Sequence, residues 1–249
     1  MTTDSEAGSP GRLVLPALML SRFLTNVPSL LISLLLVEIA ATFGQPVGVA
    51  AQVRTSASLV SVVVALLMSV LSIRFNHRSL LLVGLFVYVF SSLGCGVAPS
   101  FALLLTAYSL NGLGAAMIAP MSSTMVGDMF ALARRAKVMS YIVASASLAY
   151  LVGSPIIGFI AGLVDWRAAF LGYLLPFAVL AFVLATVGVK PGPVRGSSSG
   201  QKYVEGFKVI FRSRSALSCL LGPSLSMTAW QVVLLYAASF FSGRGILFP

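Results

Sequence analysis

Apolar and polar positions fall along this chain in long blocks, not in the short alternations of a water-soluble fold. Six stretches carry no Asp, Glu, Lys or Arg: Phe23 to Val37, Thr55 to Ile73, Ser79 to Gly127, Val138 to Val164, Ala168 to Val189 and Ser215 to Gly243. A helix needs about 20 apolar residues to cross a hydrocarbon core of about 30 Å. The Ser79 to Gly127 stretch has 49 residues and would run about 74 Å as one helix, so it must hold two spans and a turn. Gly96-Val97-Ala98-Pro99-Ser100 supplies that turn, with Pro99 breaking the first helix and Ser100 capping the second. The pattern therefore predicts seven spans, at about residues 17–40, 51–73, 79–97, 101–127, 138–163, 168–188 and 216–241. The fold class is all-α polytopic membrane protein.

Composition supports this. The chain is 58% hydrophobic and 9% charged, with a mean hydropathy of +1.01; a soluble domain has about 25% charged residues and would expose large apolar patches at this composition. A net charge of +10 could suggest nucleic acid, but no helix or face concentrates the basic residues, and no nucleic-acid partner is expected. They sit in gaps between spans, where anionic headgroups and insertion topology account for them. One set of gaps holds Arg12, Arg74, Arg78, Arg134, Arg135, Lys137, Lys190, Arg195, Lys202, Lys208, Arg212 and Arg214. The other holds Arg167 and Arg244, while Arg22 and Arg54 lie inside span ends. This asymmetry predicts a cytoplasmic amino terminus in a cell membrane, with Pro249 on the far side. The polar start, MTTDSEAGSPGR, reads as a disordered tail. A cleavable signal peptide is not expected, because the apolar segment after it is too long and its flank is not basic.

Four segments follow: residues 1–12 as the tail, 13–189 as a six-span bundle, 190–214 as a cytoplasmic linker, and 215–249 as the seventh span with the start of a second bundle. The linker opens with the flexible KPGPVRGSSSGQ. Tyr203, Val204, Phe207, Ile210 and Phe211 then recur at helical spacing among Lys202, Lys208, Arg212 and Arg214, as in a helix lying on the inner leaflet. Cys95 and Cys219 fall at opposite ends of their spans, beyond disulfide reach.

Local motifs carry a family resemblance. Between the second and third spans, Leu71, Arg74, Phe75 and Arg78 match a tight basic loop, with Ser69, Ile73 and Asn76 where Gly, Asp and Gly are usual. The fourth span has Asn111-Gly112-Leu113-Gly114-Ala115-Ala116 without the usual arginine. The fifth has Gly153-Ser154-Pro155-Ile156-Ile157-Gly158, similar to a Gly-Pro-x-x-Gly element, and Trp166-Arg167-Ala168-Ala169-Phe170 opens the sixth. Asp128 followed by Arg134, Arg135 and Lys137 matches the loop after the fourth span. Together these resemble the amino-terminal half plus the seventh helix of a major facilitator superfamily transporter of the drug-antiporter branch.

The resemblance implies a secondary active carrier for a small organic solute, working by alternating access, with efflux as the direction suggested by the fifth span. It implies a cytoplasmic gate at Arg74, Arg78 and Asp128, with Arg78 and Asp128 as the ion pair. It also implies a solute cavity holding Arg22, Asn26, Tyr108 and Asn111, joined by Trp230 and Gln231 of the seventh span. Gly153, Pro155 and Gly158 would form a gating hinge. The residues alone leave blander roles open: interhelical hydrogen bonds for Asn26 and Asn111, a snorkelling Arg22, and static packing for the glycines.

Other classes lack their chemistry. The one histidine, His77, sits in a loop, and neither a His-Glu-x-x-His pair nor a seventh-span lysine is present, so metalloenzyme and retinal protein are excluded. A G-protein-coupled receptor would place its amino terminus outside. No enzyme activity, metal or cofactor is expected. No acidic residue sits mid-span, so ion coupling would rest on Glu38 or on residues beyond Pro249. Only one wall of a carrier is present, so the chain alone is expected not to transport. An interrupted gene, a partial sequence or a second chain supplying the carboxy-terminal half each fit, and a non-transporting membrane subunit is the rival reading.

Overall fold

The structure is a computed structural model that describes residues 11, 13–189, 213, 215, 218, 221, 222, 224–230, 232 and 233. The chain separates into two units, residues 1–195 and 196–249. In the first, six helical stretches are long and apolar enough to cross a membrane: Val14–Thr42, Val47–Met68, His77–Gly96, Phe101–Met129, Leu132–Leu163 and Trp166–Gly188. Of the expected seventh span, residues 224–230 are a described helix. The inner-leaflet helix at 203–211 and Cys219 lie outside the described residues, as does the amino-terminal tail except Gly11.

The first span is two helices, α1 (Val14–Leu24) and α2 (Val27–Thr42), broken at Thr25-Asn26 with Pro28 in the first turn of α2. Pro28 has no N–H for the Leu24 carbonyl, four residues back. Inside a membrane that carbonyl needs another donor. The buried Tyr88 hydroxyl provides it, donating to Leu24 O at 2.6 Å. A left-handed Gly44 (φ 60°) follows the end of α2, where an L side chain would be strained.

The second span joins a short α3 (Val47–Ala50) to α4 (Gln52–Arg74). The third and fourth are α5 (His77–Gly96) and α6 (Phe101–Met129), separated by the expected turn. Ser100 caps α6, its Oγ accepting from the Leu103 N–H at 3.4 Å. At the start of α5, Asn76 stands where the family has glycine. Its φ of −66° needs no glycine, and its side chain caps the helix by accepting from the Arg78 N–H.

The fifth span, α7 (Leu132–Leu163), begins before the expected 138 and carries Arg134, Arg135 and Lys137 within the helix. Alanine, leucine and arginine are strong helix formers, so nothing in Leu132 to Lys137 stops the helix at the bilayer edge. The sixth runs through α8 (Trp166–Ala169), a π-helical turn (Phe170–Leu174) and α9 (Leu175–Gly188). Pro176, in the first turn of α9, cannot donate to the Gly172 carbonyl, which accounts for the wider turn there.

Backbone contact through small residues holds these helices, because lipid gives apolar helices little reason to associate. A Cβ on Gly112 would lie 2.1 Å from the Ala57 carbonyl oxygen of α4, and the Gly112 carbonyl accepts from Ser61 Oγ at 2.7 Å. Gly84 of α5 and Gly114 of α6 touch in the same way, a Cβ on Gly114 falling 2.8 Å from Gly84 O. The core between them contains Tyr88, Leu104, Ile118 and the hydroxyls of Ser91 and Ser92.

Candidate functional site

The bundle has two ends of unlike chemistry and a polar middle. At the end formed by Thr42, Ala98, Phe101 and Trp166, aromatic groups and one arginine interlock. Asp165 caps α8, accepting from the Trp166 N–H at 2.7 Å. The fully buried Trp166 ring donates from Nε1 to Thr42 Oγ1 at 3.1 Å. Arg167 lies over that ring at 4.6 Å from its centroid and pairs with Asp165 at 3.1 Å. It also donates to the Ala98 carbonyl at 3.2 Å. Phe43 packs on Trp166 and Phe101, and Trp166 on Phe170. One short segment thus ties the start of the sixth span to the end of the first and to the turn between the third and fourth.

At the opposite, basic end the expected Arg78–Asp128 pair does not form. Arg78 Nη2 donates to the Thr186 carbonyl of α9 at 2.8 Å, and Asp128 Oδ2 meets His77 Nδ1 at 2.6 Å. The correction has a geometric cause. Residues adjacent on a helix diverge by about 100°, so His77 faces α6 while Arg78 faces α9. His77, expected in a loop, is the first residue of α5, and its position beside Arg78 is the signal in the sequence. Arg74 is exposed at the last residue of α4. Arg135 Nε donates to Phe130 O at 2.9 Å, closing the α6–α7 corner.

Mid-span, Asn26 bridges helices: Nδ2 donates to the Ala146 carbonyl of α7 at 3.0 Å, at the break in the first span. Asn111 is buried and lies beside the Tyr88 hydroxyl. Tyr108 is buried with Ser29 beside its hydroxyl. Arg22 is half-buried, and its buried Nε has no hydrogen-bond partner. Gly153 packs on the first span, a Cβ there meeting Leu30 Cδ2 at 3.0 Å, whereas Gly158 faces open space. Pro155 lies inside the unbroken α7 and is exposed. Trp230, in the second unit, is exposed, and Gln231 lies outside the described residues.

Arg54 was missed as a site residue. It lies seven residues inside the Val47–Met68 span, about 10 Å along the axis, and its Nη1 donates to Ser33 Oγ of α2 at 2.9 Å. Its depth within an apolar window was the legible signal. Among the described residues no cluster of three metal-ligating side chains occurs.

Comparison with known proteins follows this geometry. The profile of the Major Facilitator Superfamily matches residues 15–248. The uncharacterized MFS-type transporter YwfA of Bacillus subtilis (strain 168) is 31% identical over 154 residues, covering 62% of this chain and 37% of its own length. Multidrug resistance protein Stp of Mycobacterium tuberculosis (strain CDC 1551 / Oshkosh) is 26% identical over 234 residues, covering 91% of this chain and 42% of its own length. The crystal structure of a D-xylose-proton symporter superposes with a TM-score of 0.71 at 18% identity, over 93% of this chain and 62% of that one. This chain therefore spans about two fifths of the length of these two sequence relatives.

Proposed function

The chain belongs to the Major Facilitator Superfamily, and from that premise we propose that it forms one wall of a secondary transporter that exports a small organic solute. The observation that carries the reading is the polar middle of an otherwise apolar bundle. Ser29, Ser33, Arg54, Tyr108 and Asn111 lie within spans on α2, α4 and α6, and polar groups at such depth ordinarily line a solute path. The direction is supported by the likeness to a protein named for multidrug resistance. Asn26 and Arg22 belong to this path, Asn26 by setting the break in the first span.

The basic end faces the cytoplasm in this reading, by the positive-inside rule, and is the gate. His77 with Asp128 ties α5 to α6, and Arg78 with the Thr186 carbonyl ties α5 to α9. The exposed His77–Asp128 contact can be undone cheaply, since exposed ion pairs contribute about 0–1 kcal/mol. Arg74 marks the same boundary. Gly153, Pro155 and Gly158 let α7 flex as the gate works. Alternating access rocks one repeat against another, so flux should need a second bundle opposite this one.

Efflux of a panel of fluorescent organic solutes, anionic, zwitterionic and cationic, from energised cells tests the reading, with the chain produced alone and with a carboxy-terminal half supplied. Export should appear in the second case and be reduced severalfold by Asn111→Leu. Export of no solute from a broad panel in either case would refute transport. A tag after Gly11 that is reachable from outside intact cells would refute the orientation.

A further inference from the structure

Arg54 is the third residue of α4, near one end of the second span. A basic residue near a span end normally extends along the apolar surface to the headgroups. Arg54 instead reaches sideways into the bundle, to Ser33 at 2.9 Å. Ser33 itself lies nine residues inside Thr42, about 14 Å along α2. Ser33 Oγ also donates to the Ser29 carbonyl at 2.8 Å, which fixes its oxygen toward the guanidinium. Two further hydroxyls, of Tyr108 on α6 and Tyr150 on α7, lie within electrostatic range of Arg54. Ser29 sits beside the Tyr108 hydroxyl. Helices α2, α4, α6 and α7 thus bring one cation and several hydroxyl donors to one level of the bundle.

A guanidinium presents its N–H donors as a planar fork matched to a carboxylate. Tyrosine hydroxyls add neutral donors that can reach the same oxygens. The same group repels a lipophilic cation. We propose that Arg54, with Tyr108 and Tyr150, recognises the carboxylate of an anionic or zwitterionic organic solute. The inference rests on the reading of this bundle as a solute path and adds the substrate class to it.

The test uses the full chain in dodecyl maltoside and three probes of one shape: benzoate, benzamide and benzylammonium. Binding is followed by thermal shift and equilibrium dialysis. Benzoate should bind at least about tenfold more tightly than either other probe, the scale of a charge-assisted contact. Arg54→Gln should remove that preference, and Tyr108→Phe should weaken benzoate severalfold. Arg54→Lys keeps the charge without the fork and should retain part of the preference; its helicity and monodispersity guard against a folding artefact in Arg54→Gln. Equal benzoate affinity in wild type and Arg54→Gln overturns the inference, as does a preference for benzylammonium. Protection by phosphatidylglycerol micelles with no response to any probe assigns the cation to lipid and also overturns it. Export of panel solutes by the wild type with its carboxy-terminal half, while benzoate fails to bind the wild type, sinks the substrate class alone. Loss of export for every solute in the wild type sinks the transport reading.

Discussion

The aromatic end and the basic end of this bundle hold the same helices by different physics. Around Trp166 and Arg167, one segment makes a cap, an ion pair, a cation–π contact and hydrogen bonds to the end of the first span and to the turn between the third and fourth, about a fully buried indole. At the basic end, the contacts α5 makes include a His–Asp contact and an arginine on a carbonyl. Opening the first requires dismantling packing and several polar contacts together. Opening the second breaks contacts that include the exposed His77–Asp128 contact, which water can replace. A carrier that must open toward one side at a time gains from this inequality, because thermal motion reaches the weaker end first.

The contrast can be broken by mutation. Trp166→Ala empties a packed site and should cost about 3–5 kcal/mol, read as loss of folded protein in dodecyl sulfate titrations of mixed micelles. If it proves no worse than Asp128→Asn, the two ends do not differ as argued. Gly112→Ala comes next. Its Cβ would press on the Ala57 backbone at 2.1 Å, so α4 and α6 must separate, at about 1–3 kcal/mol by the same titration.

Smaller effects sharpen the picture. Tyr88→Phe strands the Leu24 carbonyl and should cost about 1 kcal/mol, near the measured range for hydrogen bonds within membranes. Pro28→Ala restores an N–H for that carbonyl and should recover most of the loss in the double variant; an additive result would discard the link between proline and tyrosine. Smallest is the basic end. A double-mutant cycle on His77→Gln and Asp128→Asn should give a coupling of about 0–1 kcal/mol, and the same cycle on Arg78→Gln and Asp128→Asn should give none. A larger coupling for Arg78 would restore the pairing suggested by family resemblance.

Much of the fold was legible because membrane burial is written in composition. The six described spans fall where the uncharged runs place them, and the turn at Pro99-Ser100 ends and caps helices as its residues dictate. The early start of α7 was misjudged because charges were read as the edge of a helix. Charge marks the bilayer edge, whereas helix propensity decides where a helix stops. The sites were less legible. Asn26 and Asn111 stood out as polar residues in apolar runs, but their partners, the Ala146 carbonyl and Tyr88, are far away in sequence. The sequence places Arg54 inside a span end, but position along a span says nothing about the direction of a side chain.

By itself the sequence determined where the six membrane-length helices of the described residues fall, where the chain turns, and which end collects positive charge. Those properties depend on local transfer free energies and caps, which each segment carries alone. Only the tertiary structure decided that His77, not Arg78, meets Asp128, that Tyr88 answers for Pro28, and that Arg54 turns inward to Ser33. Each is a matter of helix rotation and neighbour, fixed when glycine faces such as Gly84, Gly112 and Gly114 let backbones come into contact.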